Sequence, residues 1–112
     1  MPDRRFRKRV PLRCPVEVRA KRRKYSGHTV NISSTGIYCI LDTPLPMQEK
    51  VDCYLALEFR PWVPEPQKQG VVFKCDCVVI RTEEVGGMYG VACRIDGYRI
   101  LKPSEANAVH AN

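Results

Sequence analysis

The sequence predicts an all-β protein, a small antiparallel barrel of six short strands. Its 112 residues are the length of a single domain. Apolar and polar residues alternate with period two in several segments, as they do in strands with one buried face. Turn-forming residues separate these segments, and closure into a barrel would leave such short strands without exposed edges.

Five segments carry the alternation. Their expected buried residues are, in order, Cys14, Val16, Val18 and Ala20; Ile37, Cys39 and Leu41; Val51, Cys53, Leu55, Leu57 and Phe59; Val71, Phe73, Cys75, Cys77 and Val79; and Tyr89, Val91, Cys93 and Ile95. The intervening turn signals are Ser26-Gly27, residues 33–36, 44–46 and 61–70, and Gly86-Gly87. We divide the chain into a basic arm (1–10), a barrel (11–100) and a C-terminal tail or short helix (101–112).

The cysteines are expected to be core residues. All six fall on the apolar face of their segments, and none forms a C-x-x-C pair. A zinc site typically needs such pairs or nearby histidines, and free cysteine packs as a small hydrophobe. We therefore predict no metal site. The chain also has no apolar stretch of ~18 residues and a charged N-terminus, so we expect a cytoplasmic protein without a membrane span.

The positive charge is concentrated at the start of the chain. Residues 1–24 hold eleven basic and two acidic side chains, whereas the whole protein has a net charge of +7. Such an excess predicts that this part of the chain meets an anion.

Catalytic patterns do not accompany this charge. The sequence contains no G-x-S-x-G turn, no P-loop and no G-x-G-x-x-G phosphate cradle, and its two histidines are isolated. We therefore predict a binding protein rather than an enzyme, with no cofactor.

Two polar motifs indicate where an anion would bind. Residues 4–9, RRFRKR, precede the first strand, and arginine recognises phosphate oxygens or a guanine edge with two parallel hydrogen bonds. Residues 31–36, NISSTG, connect two strands and supply an amide, hydroxyl groups and a glycine. We expect Gly36 to take a left-handed φ that lets the backbone approach a ligand.

Together these motifs resemble the PilZ family. The features are the R-x-x-x-R spacing from Arg5 to Arg9, the [D/N]-x-S-x-x-G pattern from Asn31 to Gly36, and the glycine-containing alternation of residues 87–95. The resemblance covers residues 4–97. It implies a six-stranded PilZ-type barrel that binds the bacterial second messenger cyclic di-GMP and passes the signal to an unidentified effector protein.

The resemblance also assigns site residues. Arg5 and Arg9 would grip phosphates and guanine edges, and Arg4 resembles the residue before the motif in members that bind an intercalated pair of ligand molecules. The complete implied site is Arg4, Arg5, Arg9, Asn31, Ser33 and Gly36. An amide at Asn31 in place of a carboxylate weakens binding by about 1 kcal/mol.

The arm has one bulky apolar side chain, Phe6, so we expect it to be mobile when empty and to become ordered over the ligand. Two alternatives remain open. One is a basic barrel that binds RNA or single-stranded DNA by stacking bases on Tyr25, Tyr38, Tyr54 or Trp62, although nucleic acid is the less favoured partner. The other is a PilZ adaptor that binds no ligand and acts through protein contacts.

Overall fold

The structure is a computed structural model and describes residues 10–59 and 69–102. It contains seven strands: β1 (Val10–Pro11), β2 (Pro15–Ala20), β3 (Arg23–Ile32), β4 (Gly36–Leu41), β5 (Lys50–Phe59), β6 (Gln69–Val85) and β7 (Met88–Ile100). Three predicted features lie outside the described residues: the arm before Val10, most of the turn at 61–70, and the C-terminal tail or short helix beyond residue 102.

Six of the strands close into an antiparallel barrel. The sheet order is β1-β3-β2-β5-β6-β7-β4, and β3 also pairs with β4, which completes the ring. The short strand β1 is added beside β3, so the predicted all-β, six-stranded barrel is confirmed with one extra strand. We call the end of the barrel that carries β1 and residues 33–36 the upper end. The lower end carries the connections after Ala20, Leu41 and Val85.

The barrel interior is filled mostly by the residues that the alternation predicts, although Val71 and Tyr89 are only half-buried. Val18, Ile37, Leu41, Val79 and Val91 are fully buried. All six cysteines are buried and free, as expected for core residues. Burial raises the pKa of the Cys39 and Cys75 thiols to about 12, so both remain protonated and act as apolar filling.

One predicted turn is wrong. Ser26 and Gly27 lie inside β3, and the chain reverses instead at Lys21 and Arg22, where Lys21 has φ 59°. Gly27 is needed because the neighbouring strand comes very close: a Cβ there would lie 2.0 Å from the carbonyl oxygen of Ile40. A glycine inside a strand can therefore mark close backbone approach rather than a turn.

The last two strands run well past the predicted segments. They form a hairpin whose tip, Gly86 and Gly87, has φ of 55° and 83°, as a two-residue turn between twisted strands requires. The part of β6 after Val79 extends beyond the barrel core. Its side chains are therefore not alternately buried, and the alternation pattern did not detect it. The Thr82 hydroxyl ties it to the barrel by donating to the Leu45 carbonyl oxygen at 2.8 Å.

Candidate ligand-binding site

The turn of residues 33–36 is closed by a serine side chain. Ser33 Oγ accepts hydrogen bonds from the backbone N–H groups of Thr35 and Gly36, at 3.2 and 3.1 Å. The backbone N–H of Ser33 donates to the Gly36 carbonyl at 2.9 Å, and Ile95 donates to the Thr35 carbonyl at 2.9 Å. The turn is thus fixed both internally and to β7, which gives a ligand a rigid polar surface.

The conformation expected of Gly36 is wrong. Gly86 and Gly87 are the glycines with a left-handed φ in the described part of the chain, whereas Gly36 opens β4 opposite Arg94 and is buried. The turn does not need a left-handed residue here because the Ser33 hydroxyl accepts the two amides that the bend would otherwise leave unpaired. The role of Gly36 is therefore its small size at a buried position, not an unusual backbone angle.

Asn31 lies at the upper end of β3, next to the root of the arm. It pairs with Pro11 on one side and with Tyr38 on the other. An irregularity in register between Thr29 and Asn31 interrupts the β3–β4 ladder immediately before it. Irregularities of this kind re-aim side chains at the edges of sheets, so the irregular ladder sets the direction of the amide.

A residue that the motifs did not identify holds the arm's root in place. The Thr29 side chain is fully buried, and its hydroxyl donates to the Leu12 carbonyl while accepting the N–H of Cys14 at 3.0 Å. These bonds fasten the bend between β1 and β2 onto β3. The sequence held one indication of this role: a polar threonine occupies a position of β3 that the alternation directs towards the barrel interior.

The described chain begins beside the predicted site. Val10 pairs with Ile32, the residue between Asn31 and Ser33. Arg4, Arg5 and Arg9 lie outside the described residues, so their predicted roles stay predictions. The register nevertheless brings the end of the arm and the polar turn to the same end of the barrel, which the resemblance requires.

A second group of basic residues lies at the opposite end of the barrel. Lys21, Arg22, Arg23 and Lys24 form an exposed basic tip between β2 and β3 at the lower end. The ten residues of β3 separate this tip from Ile32 by about 30 Å at ~3.3 Å per residue. Charge counting treats the positive charge of residues 1–24 as a single anion-binding region. Residues 21–24 do not belong to it, because β2 crosses the barrel between residue 13 and this tip.

Near the turn, one cation already has a partner. Arg94, opposite Gly36, donates two hydrogen bonds to the Asp96 carboxylate at 2.8 and 3.3 Å. The bond from Arg94 lowers the pKa of Asp96, so the pair stays ionised at neutral pH. Arg94 therefore adds little net positive charge at the turn.

The tyrosines proposed for base stacking are largely engaged. The guanidinium of Arg19 lies 4.7 Å from the centre of the Tyr54 ring, and that of Arg81 lies 5.9 Å from the Tyr38 ring. Tyr38 also donates its hydroxyl hydrogen to Glu83 at 2.6 Å. Tyr25 is half-buried against the core, and Trp62 lies outside the described residues.

Comparison with known proteins agrees with this architecture. The inhibitor of motility from Bacillus subtilis, MotI/DgrA, is a similar solved structure, with a TM-score of 0.64 at 15% sequence identity. The match covers 96% of this chain but 48% of that one, so this chain spans about half of its length. At this identity the likeness concerns the fold. A search of curated proteins found no match.

The described residues contain no helix with the length and apolar character needed to cross a bilayer. A family model described as PilZ domain matches residues 3–103, nearly the whole chain. The match includes both the basic arm and the polar turn. The chain therefore belongs to the PilZ domain family.

Proposed function

We propose that this protein binds cyclic di-GMP at the upper end of its barrel and passes the signal to a separate partner protein. The PilZ family consists of cyclic di-GMP-binding domains and adaptors rather than enzymes. The observation that carries the proposal is the pairing of Val10 with Ile32, which brings the arm's root to the residues that precede the 33–36 turn. Arm and turn can then contact one small ligand from two sides.

The chemistry of the ligand suits these groups. Cyclic di-GMP carries two phosphates and two guanines, so a receptor has to neutralise charge and recognise purine edges together. Arg5 and Arg9 can do both, because a guanidinium forms paired hydrogen bonds with either surface and stacks on bases. Asn31 offers an amide to a guanine edge, and Ser33 can donate its hydroxyl hydrogen while its oxygen accepts the turn amides.

The proposed output is ordering of the arm. Fixing about six residues costs several kcal/mol, which charge-assisted hydrogen bonds from the arginines to the phosphates would offset. The ordered arm and its ligand would present a new surface to an effector. Arg4, directly before the motif, supports binding of two intercalated ligand molecules rather than one.

The proposed ligand is a bacterial second messenger, so we place the protein in the bacterial cytoplasm. The six free buried thiols suit the reducing conditions of that compartment.

Calorimetric titration tests the ligand assignment. We expect saturable heat with cyclic di-GMP, a stoichiometry of two, and at least about 100-fold weaker binding of cyclic di-AMP, because adenine replaces the guanine O6 acceptor with a donor. Equal binding of both dinucleotides, or none of either, would contradict the proposal. A stoichiometry of one would remove the role of Arg4 and leave the assignment intact.

The nucleic-acid alternative receives less support from the geometry. The basic tip at residues 21–24 lies about 30 Å from Ile32, and Arg19 and Arg81 lie against two of the candidate stacking rings. A binding site for a polyanion would show a steep dependence of affinity on salt, with a log–log slope set by many phosphates. We expect the shallow slope of a ligand with two phosphates.

A further inference from the structure

An apolar pocket opens at the upper end of the barrel, beside the turn. Its volume is about 160 Å³, and it lies between β3, β4, β5, β6 and β7. Its apolar lining includes Ile32, Ile37, Leu55, Leu57, Phe73, Ile95 and Tyr98. A cavity of ~150 Å³ with aliphatic and aromatic walls can hold a benzene molecule, so this pocket has room for one phenyl ring.

On the side away from the turn residues Ser33 and Ser34, the rim of the pocket is apolar and exposed. Tyr98 contacts Phe73 with ring centres 6.1 Å apart, yet 62% of Tyr98 remains accessible to solvent. Nearby, Val10 is 53% exposed. An apolar cluster beside a charged ligand site would be stabilised by an apolar group that covers it.

The register of β1 gives the direction in which the arm's side chains would point. Directly opposed residues of an antiparallel pair lie on the same face, so Val10 shares the face of Ile32 and Pro11 shares the face of Asn31. Ile32 packs against the core and lines the pocket. With period two, Asn31 and Pro11 belong to the opposite, outward face.

Continuing this alternation into the arm separates its residues by function. If the arm continued β1 as extended chain, Phe6 and Lys8 would share the parity of Val10, and Arg5 and Arg9 would share that of Pro11 and Asn31. Phe6 is four positions before Val10, a reach of up to ~14 Å in extended chain. Phe6 is also the single aromatic residue of the arm.

We propose that Phe6 docks in this pocket and acts as the positioning residue that turns Arg5 and Arg9 towards Asn31. This inference deepens and rests on the proposed function: Phe6 would hold the arm to the barrel at one point, and the arginines would still become ordered only when the ligand binds. The apolar contact supplies attraction that the arginines cannot, since they repel one another. Docking would lower the ordering cost that ligand binding has to meet, and so would increase affinity.

The first experiment examines docking without any ligand. In protein with labelled isoleucine and leucine methyl groups, we expect nuclear Overhauser effects from the Phe6 ring to the methyls of Ile32 and Ile95. Phe6→Ala should shift the resonances of those methyls. Contacts to these methyls from Trp62 or from residues 103–112, with none from Phe6, would overturn the proposal and identify a different occupant.

The second experiment measures the effect of docking on affinity. We expect Phe6→Ala to weaken cyclic di-GMP binding about tenfold, ~1.4 kcal/mol, and Phe6→Leu to stay within about threefold of wild type. The matched control moves the aromatic ring by one position in the double variant Phe6→Ala/Arg7→Phe. Its ring would have the outward parity, so it should restore neither the methyl contacts nor the affinity.

The possible results separate this inference from the proposed function. Absence of cyclic di-GMP binding by the wild type contradicts the function, while the ligand-free methyl contacts still decide whether Phe6 docks. Normal binding by Phe6→Ala, or full rescue by the shifted phenylalanine, overturns the positioning role and leaves the ligand assignment standing.

Discussion

The two ends of the barrel are both basic in sequence but differ in construction. At the lower end, residues 21–24 place four exposed cations on a hairpin tip, with Lys21 in a left-handed conformation. At the upper end, the Ser33 hydroxyl closes a turn, and β1 brings the arm's root alongside. Positive charge alone therefore does not distinguish a ligand site. The pairing of β1 with β3, which brings the basic start of the chain beside a closed polar turn, is the more specific feature.

The sharpest test of this comparison exchanges arginine for alanine at each end. We expect Arg9→Ala to weaken cyclic di-GMP binding by at least ~100-fold, because it removes charge-assisted bonds to phosphate or guanine. Arg23→Ala, at the lower end, should change affinity by no more than about twofold through long-range attraction. Calorimetry of both variants measures the difference. Equal losses would mean that net charge, and not the arm, determines binding.

Two threonine substitutions compare the hydrogen bonds that hold the chain in place at each end of the barrel. Thr29→Val removes the bonds to Leu12 and Cys14, and we expect it to lower the free energy of unfolding by about 2 kcal/mol and to weaken ligand binding. Thr82→Val removes the bond to Leu45 at the lower end, and should cost about 1 kcal/mol of stability with unchanged affinity. Urea unfolding and titration provide both readouts. Unchanged affinity in Thr29→Val would show that the arm's root needs no such anchor.

A serine pair tests the turn itself. Ser33→Ala leaves the amides of Thr35 and Gly36 without their acceptor, so we expect about tenfold weaker ligand binding. Ser26→Ala, at an exposed position of β3, serves as the matched control and should bind as wild type. Equal affinity of the two variants would remove the turn from the site.

The smallest expected effect concerns pH. The hydrogen bond to Glu83 raises the pKa of Tyr38, so the folded state holds this proton more tightly than the unfolded chain, whose tyrosine pKa is near 10. The resulting stabilisation is present below pH ~10 and is lost as the pH rises through the folded-state pKa. Tyr38→Phe should thus cost about 0.5 kcal/mol or less at pH 8, a difference that shrinks above pH 10.

Urea unfolding of wild type and Tyr38→Phe at both pH values measures this change. A stability difference that grows with pH would contradict the assigned direction. Ligand binding should be unaffected at neutral pH, because the Tyr38 hydroxyl is directed to Glu83 rather than to the turn.

The barrel interior was predictable because a strand with one buried face has apolar residues at every second position. The residues around Val18 and Cys53 alternate strictly, and the structure buries the apolar member of each pair. The alternation did not identify β3, because Gly27 and Thr29 occupy two of its inward positions. Gly27 allows the neighbouring strand to approach closely, and Thr29 forms hydrogen bonds to the root of the arm. Neither residue has the apolar character on which the pattern depends.

The candidate site was only partly predictable. The spacing of Asn31, Ser33 and Gly36 identified the turn, but the hydrogen bonds that close it depend on three-dimensional geometry, and Gly36 did not take the expected φ. Charge counting grouped the arm with residues 21–24 because it ignores the direction of the intervening strand. Only the register of β1 and β2 on β3 assigns these cations to different ends.

The most direct test is a cyclic di-GMP titration of isotopically labelled protein, followed through its backbone amide resonances. We predict large shifts at Val10, Asn31, Ser33 and Gly36 and negligible shifts at residues 21–24. Shifts confined to the lower end, or spread evenly over both ends, would contradict a ligand site formed by the arm and the turn.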